Sequence, residues 1–369
     1  MTQLSTARRL VVKVGSALLV DAAGAIDQPW LAALCADVAH HRRLGQDVIL
    51  VTSGAIAVGR TPLGLGPGTL RLEEKQAAAA AGQIRLAHAY QQALAAHGLT
   101  TAQVLLTLDD SDNRRRFLNA RNTLETLLRL GAVPVINEND TVATQEIRFG
   151  DNDRLAARVA QMIGADTLVL LSDIDGLYSA DPKRDPAACF IAEVPELTAA
   201  IEAMAGDPGS AVGTGGMVTK LQAARIALSA GCRMAIAPGR PMHPLSAMRQ
   251  GRCTWFHPQQ EPLTARKQWI MGALQPQGRL FVDGGAAQAL AKGGSLLPAG
   301  IVRVEGDFQK GDAVMVLDSG DRDLGRGLTA YGAQEARQLQ GRKSGDFEAL
   351  LGYRGPDEMI HRDDLVLMP

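Results

Sequence analysis

Asp47-Val48-Ile49-Leu50-Val51-Thr52-Ser53-Gly54-Ala55 is the stretch whose reading decides the fold. Four consecutive aliphatic residues run directly into a polar turn, as in a buried strand that hands over to a helix. In an open parallel sheet, ligands gather beyond the carboxyl ends of the strands, which is where Ser53 and Gly54 fall. The plainer alternative is a routine strand-to-helix turn with Ser53 as N-cap.

The same unit recurs on either side. Leu10-Val11-Val12-Lys13-Val14-Gly15-Ser16 reads as a short buried strand ending in a lysine and a Gly-Ser turn. Lysine within such a run is costly unless it meets an anion or reaches solvent; an edge-strand or snorkelling lysine is the bland alternative. Residues 101–107 form another buried strand. Gly131 to Ile136 forms one that ends in Asn137-Glu138-Asn139-Asp140, and Thr167 to Leu171 one that leaves as Ser172-Asp173-Ile174-Asp175-Gly176-Leu177-Tyr178-Ser179-Ala180-Asp181-Pro182. Met234 to Ala237 is a further strand. Helical patterns at about 29–44, 75–97, 112–130, 155–160, 195–205 and 221–230 separate them, with Gly82 marking a close helix contact. Strands alternating with helices predict a largely parallel sheet covered on both faces, a three-layer αβα architecture.

Two acidic loops follow adjacent elements. Asn137 to Asp140 suits a polar or cationic group, or is a turn-forming cluster; Asp151 or Asp153 in Gly150-Asp151-Asn152-Asp153 serves a ligand or merely caps the next helix. Gly213-Thr214-Gly215-Gly216-Met217-Val218-Thr219-Lys220 precedes a helical run. Glycines turn backbone N–H groups to one point, the helix start adds partial positive charge, and the lysine adds a full one. This is an anion cradle for phosphate, or a flexible loop capping a helix.

Composition narrows the partners. The 38 basic and 39 acidic residues of the 369-residue chain give no global attraction to nucleic acid or anionic membrane. Its length predicts two domains. Cys35, Cys189, Cys232 and Cys253 lack zinc-site spacing and read as buried thiols in a reducing compartment. Lys13 interrupts the only signal-like run and nothing reaches transmembrane length, so a soluble cytoplasmic protein with no membrane partner is expected. The basic cluster Arg114-Arg115-Arg116 suits a solvated face or a subunit contact better than nucleic acid. No Walker loop, no first-strand G-x-G-x-x-G and no G-x-S-x-G elbow is present.

After about Pro258 the pattern changes to short glycine-punctuated strands at 279–282, 301–304 and 313–317. We therefore expect a catalytic domain at 1–258, a linker at 259–277 and a small, mainly β domain at 278–369.

Taken together, Lys13 to Ser16, Val51 to Ala55, Asn137 to Asp140, Gly150 to Asp153, Asp175 to Pro182 and Gly213 to Lys220 resemble the motifs of the glutamate 5-kinase family within the amino acid kinase superfamily. Ser295 to Ile301 and His361 to Asp364 resemble its appended PUA domain. The family motif usually carries Ser or Ala at Val218 and Thr at Ser172. The resemblance implies the amino acid kinase fold and ATP-dependent phosphorylation of the L-glutamate side-chain carboxylate, the first step of proline biosynthesis. It further implies magnesium bound mainly through ATP with no direct protein metal ligands, feedback inhibition by proline, a homo-oligomer (dimer or tetramer), and glutamyl phosphate reductase as a downstream partner.

Carried over residue by residue, the resemblance makes Lys13 and Lys220 the catalytic cations and Asp153 the carboxylate that orients them. Ser53, Asp140 and Asn152 become the substrate set, with Asp140 matched to the ammonium and Ser53 and Asn152 donating to carboxylate oxygens. The ATP set is Lys13, Ser172, Asp173, Thr214, Gly215, Gly216, Met217, Val218, Thr219 and Lys220. A related kinase acting on acetylglutamate, carbamate, aspartate or a nucleoside monophosphate is one rival reading. RNA binding by the carboxy-terminal domain is another, although residues 278–369 hold 11 Lys or Arg against 14 Asp or Glu, the wrong balance for a phosphate backbone.

Overall fold

The computed structural model describes the chain except residues 1–2, 22, 67, 143–150, 183, 206–214, 250, 263, 266, 268–269, 271–274 and 369. Two compact units span residues 1–262 and 263–369. In chain order the first contains β1 (Arg9–Val14), α1 (Ser16–Leu19), α2 (Gln28–Arg43), β2 (Asp47–Val51), α3 (Ala55–Arg60), α4 (Leu72–Ala95), β3 (Thr101–Leu106), α5 (Leu108–Asp112), α6 (Arg114–Arg129) and β4 (Val133–Glu138). It continues through α7 (Asp151–Met162), β5 (Thr167–Ser172), β6 (Leu177–Tyr178), β7 (Phe190–Ile191), β8 (Glu193–Val194), α8 (Ala199–Ala203), α9 (Gly215–Ser229), β9 (Arg233–Pro238), α10 (Pro244–Ala247) and β10 (Thr254–Phe256).

Eight strands form one sheet in the order β3-β4-β2-β1-β5-β9-β10-β8. The six strands from β3 to β9 pair in parallel, as the alternation of elements predicts; β10 runs antiparallel to β9, and β8 runs parallel to β10. Successive strand residues face opposite ways, so β1 feeds two cores. Leu10, Val12 and Val14 pack with Leu31, Leu34 and Val38 of α2 and with Leu86 and Tyr90 of α4. Val11 joins Leu155 and Val159 of α7 and Leu221 of α9. Lys13 has the parity of Val11, which sends it to the face covered by α7 and α9.

Helices α3 and α4 meet at two glycines. A Cβ on Gly59 would lie 1.8 Å from Ala78 O, and one on Gly82 would lie 1.8 Å from Ala55 O. No other residue permits that approach, which accounts for glycine within otherwise alanine-rich α4.

Several local expectations differ from the structure. Cys35 and Cys232 are buried, but Cys189 lies exposed in the loop before β7 and Cys253 is only half-buried. Strand β3 is not buried: it lies at the sheet edge with only β4 beside it, and Gln103 and Leu105 are exposed. Residues 112–130 do not make one helix, because Asn113 leaves helical geometry and its side chain accepts from Arg116 N at 3.1 Å to start α6. The expected helix at 195–205 shrinks to α8, started by Thr198, whose hydroxyl accepts from Ile201 N. The helix expected from Leu221 begins earlier, at Gly215, so residues 215–220 of the glycine stretch are helical. Gly213 and Thr214 lie outside the described residues.

The second unit holds a five-stranded sheet, β11 (Gly278–Val282), β12 (Ile301–Gly306), β13 (Ala313–Asp318), β14 (Asp323–Leu328) and β15 (Leu365–Leu367), in the order β12-β11-β13-β14-β15. It is antiparallel except for the β11–β13 pair. Strand β14 escapes the sequence pattern because Gly325 and Gly327 interrupt it. A Cβ on Gly325 would stand 2.2 Å from Val366 O, so glycine is needed for β14 to meet its neighbour. Among the described residues, no helix is long and apolar enough to cross a membrane.

Candidate active site

The site forms where the carboxyl ends of β1, β2, β4 and β5 meet the amino ends of α7 and α9. Lys13, next to last in β1, points to the face set by its parity and places Nζ 2.7 Å from Asp153 Oδ1. The approach lies off the direction of a well-formed hydrogen bond to that oxygen, so this contact is chiefly an ion pair. Lys220, in the second turn of α9, donates to Asp153 Oδ2 at 3.0 Å and to Gly216 O at 3.3 Å. Thr219 Oγ1 lies 3.4 Å from the same Oδ2 and donates to Gly216 O at 3.1 Å.

All three charged residues are buried; Asp153 retains 1 % of its surface, Lys13 8 % and Lys220 7 %. Burial alone would raise the Asp153 carboxyl, but the attraction of Lys13 and Lys220, and the hydrogen bond from Lys220, hold it below its ordinary value. Two cations on one anion leave a net positive charge in a nearly closed place. A buried ion pair is weak evidence for stability, and a buried excess charge still less. The arrangement suits an incoming anion, which the adjoining start of α9 also favours.

Asp153 does not serve as a helix cap, although it sits in the first turn of α7, since its oxygens go to the lysines. Ser53 is not the N-cap of α3 either. That position is Gly54 at φ 101°, a left-handed conformation that glycine adopts freely. Ser53 Oγ instead accepts from Asn152 Nδ2 at 2.9 Å.

Asn152 and Asp153 are consecutive in α7, about 100° apart around the helix axis. One faces the lysines while its neighbour opens a second, neutral network. Asn152 Nδ2 also donates to Asn137 Oδ1 at 3.4 Å, and Asn137 Nδ2 donates to Gln83 Oε1 at 2.6 Å. With both N–H groups of Asn152 engaged, its buried Oδ1 has no hydrogen-bond partner among the described residues. Asn152 therefore presents an acceptor, where the sequence suggested a donor; the Ser53 hydroxyl proton remains available to donate. Asp140 lies buried two residues beyond β4.

On the remaining side, Ser172 ends β5 and its hydroxyl donates to Asp173 Oδ1 at 3.1 Å. Gly216, Met217, Val218 and Thr219 follow Gly215 in the opening turns of α9. A Cβ on Gly216 would meet nothing within 4 Å among the described residues.

Two supporting residues went unnoticed in the sequence. Gln83 and Tyr90 are seven apart in α4 and share one face. Gln83 reaches Asn137, while Tyr90 OH donates to Thr52 Oγ1 at 3.0 Å, next to Ser53. A polar residue beside the packing glycine Gly82, on the same face as a tyrosine, was the available signal.

Comparison with known proteins gives this geometry a lineage. The amino acid kinase family matches residues 8–238, and the PUA domain matches residues 278–351. The chain is 68 % identical to a glutamate 5-kinase of Paramagnetospirillum magneticum over 369 residues, covering 100 % of both chains. It is 65 % identical to one of Rhodospirillum rubrum, covering 97 % of this chain and 96 % of that protein. It is also 58 % identical to one of a Ruegeria species, with full coverage of both. With a two-lysine cradle at the strand ends and identity of this extent from end to end, the chain belongs to the glutamate 5-kinase family, an amino acid kinase unit followed by a PUA domain.

Proposed function

We propose that this chain transfers the γ-phosphoryl group of ATP to the side-chain carboxylate of L-glutamate, releasing L-glutamyl 5-phosphate and ADP, the first step of proline biosynthesis. The observation that carries the reading is the buried Lys13–Asp153–Lys220 group with its excess positive charge. Phosphoryl transfer needs charge stabilisation and positioning more than covalent help from the protein. Lys13 from β1 and Lys220 from α9 stabilise the transferring group's oxygens from two sides. Asp153 holds both ammonium groups in place and is shielded from the phosphoryl group by them. The attacking carboxylate is ionised at neutral pH and requires no general base.

On the acceptor side, Asp140 and Asn152 Oδ1 receive the ammonium of glutamate, and Ser53 donates to a carboxylate. Ser172, Asp173 and residues 214–220 hold the nucleotide. Magnesium would be carried mainly by the nucleotide, since both oxygens of Asp153 face lysines. When bound, the ion neutralises phosphate charge and orients the leaving group. Residues 1–258 carry the chemistry, 259–277 link, and 278–369 have an accessory role. Family membership also supports feedback inhibition by proline, a cytoplasmic location and a homo-oligomeric assembly.

ATP-dependent hydroxamate formation from L-glutamate, measured with and without proline, tests the reading. Acetylglutamate, carbamate and aspartate, followed by ADP release, are the competing acceptors. Folded protein with magnesium that makes no glutamyl hydroxamate, or that prefers another acceptor, overturns it.

A further inference from the structure

We propose that Gln83 is a positioning residue that sets the donor–acceptor polarity of the acceptor pocket, acting through Asn137 on Asn152. The inference rests on the glutamate kinase reading above and extends it to a residue outside the strand ends. Three side-chain amides stand head to tail: Gln83 Oε1 accepts from Asn137 Nδ2 at 2.6 Å, and Asn137 Oδ1 accepts from Asn152 Nδ2 at 3.4 Å. Asn152 Nδ2 also donates to Ser53 Oγ at 2.9 Å.

An amide has an acceptor at one end and donors at the other, so turning one alone would set oxygen against oxygen or NH2 against NH2. The three reverse together or not at all. In the observed sense, the buried Asn152 Oδ1 is the atom left without a hydrogen-bond partner among the described residues, an acceptor suited to an ammonium. In the reversed sense Asn152 would present its NH2 and repel that ammonium. It would also accept the Ser53 hydroxyl proton, removing the donor meant for a carboxylate. Both ends of an amino acid would be misread by one reversal.

Gln83 ends the relay farthest from Ser53, and its helix is well placed to hold it. Next to it, Gly82 lets α4 approach α3 closely. Two turns along the same face, Tyr90 bonds to Thr52. Helix α4 thus braces the end of β2 through Tyr90 and Thr52, and β4 through Gln83 and Asn137.

Three variants separate polarity from packing. Glu in Q83E accepts only and preserves the observed sense; Lys in Q83K donates only and favours the reverse; Met in Q83M is polar at neither end. With steady-state ADP release, Q83K should raise KM for L-glutamate at least about tenfold, and Q83M at least about threefold. Q83E should stay within about threefold of the parent, and KM for ATP should hold in all three. A folded Q83K with the parent's KM for glutamate overturns the proposal. So does a rise in Q83E equal to that in Q83K, or a parallel rise in KM for ATP. Thermal melts check folding; should Q83K not fold, Q83M against Q83E gives the same comparison, and loss of folding in both Q83K and Q83M overturns the polarity role. A parent enzyme that does not turn over glutamate instead overturns the kinase reading itself.

Discussion

Lys13 and Lys220, 207 positions apart in the chain, bind opposite oxygens of one buried carboxylate, at 2.7 Å and 3.0 Å. Asp153 spaces the two ammonium groups, and in the proposed reaction the phosphoryl group enters the gap between them. Removing one preorganised donor of this kind typically costs a hundredfold or more in turnover. Lys13→Ala and Lys220→Ala should each lower kcat at least about a hundredfold. Turnover near that of the parent in either folded variant would sink the assignment.

The shared carboxylate makes stability depend on Asp153 more than on either lysine. Asp153→Ala leaves two buried ammonium groups without their anion, a change that costs about 3–5 kcal/mol by comparison with other broken buried pairs. Urea unfolding of the catalytic unit in the full chain should show a midpoint well below that of the parent. An unchanged midpoint would mean that water or other groups already neutralise the lysines.

Acid should reveal the same residue. The Asp153 carboxyl titrates near 3.8 when unexposed to partners and lower when folded. Its contribution to stability is therefore complete above the unfolded value and is lost as pH falls below 3.8 through the folded value. In stability measured from pH 6 downward, Asp153→Asn should flatten the acid limb relative to the parent. Parallel acid limbs would show that other carboxylates dominate.

Glycines of α4 and α9 should respond oppositely to alanine. Gly82→Ala forces a Cβ to within 1.8 Å of Ala55 O, and overpacking of this kind costs about 1–3 kcal/mol, more than the roughly 1 kcal/mol that alanine gains in a helix. Gly216→Ala meets nothing among the described residues and should keep or raise Tm, while its methyl should intrude on the proposed phosphate position at the helix start and raise KM for ATP. A Gly216→Ala enzyme with unaltered ATP saturation would place the phosphates elsewhere.

Chelation separates a metal carried by nucleotide from one built into the fold. Removing magnesium with EDTA should abolish turnover and leave Tm of the nucleotide-free protein unchanged. A drop in Tm would point to a protein-held ion.

Much of this was legible because strands covered on both faces announce themselves as aliphatic runs. Val48 to Val51, Leu10 to Val14 and Thr167 to Leu171 emerge as β2, β1 and β5 within a residue or so. Polar residues stranded at such ends, among them Ser53, Asn137 and Ser172, mark a ligand edge without further information. Edges were harder. Strand β3 has a similar apolar content but only one neighbour, and nothing local distinguishes it from a central strand. The break at Asn113 depended on one side chain bonding to Arg116 N.

By itself the sequence determined the alternation of elements, the parallel sheet, the family and the residue types gathered at its edge, because those follow from periodicity and short motifs. Only the tertiary structure decided which oxygen of Asp153 each lysine takes, and that Asn152 offers oxygen and not nitrogen. The reason is physical: a lysine's partner and an amide's orientation depend on groups brought close by β1, α4, α7 and α9 packing together, and no local pattern in the chain encodes that proximity.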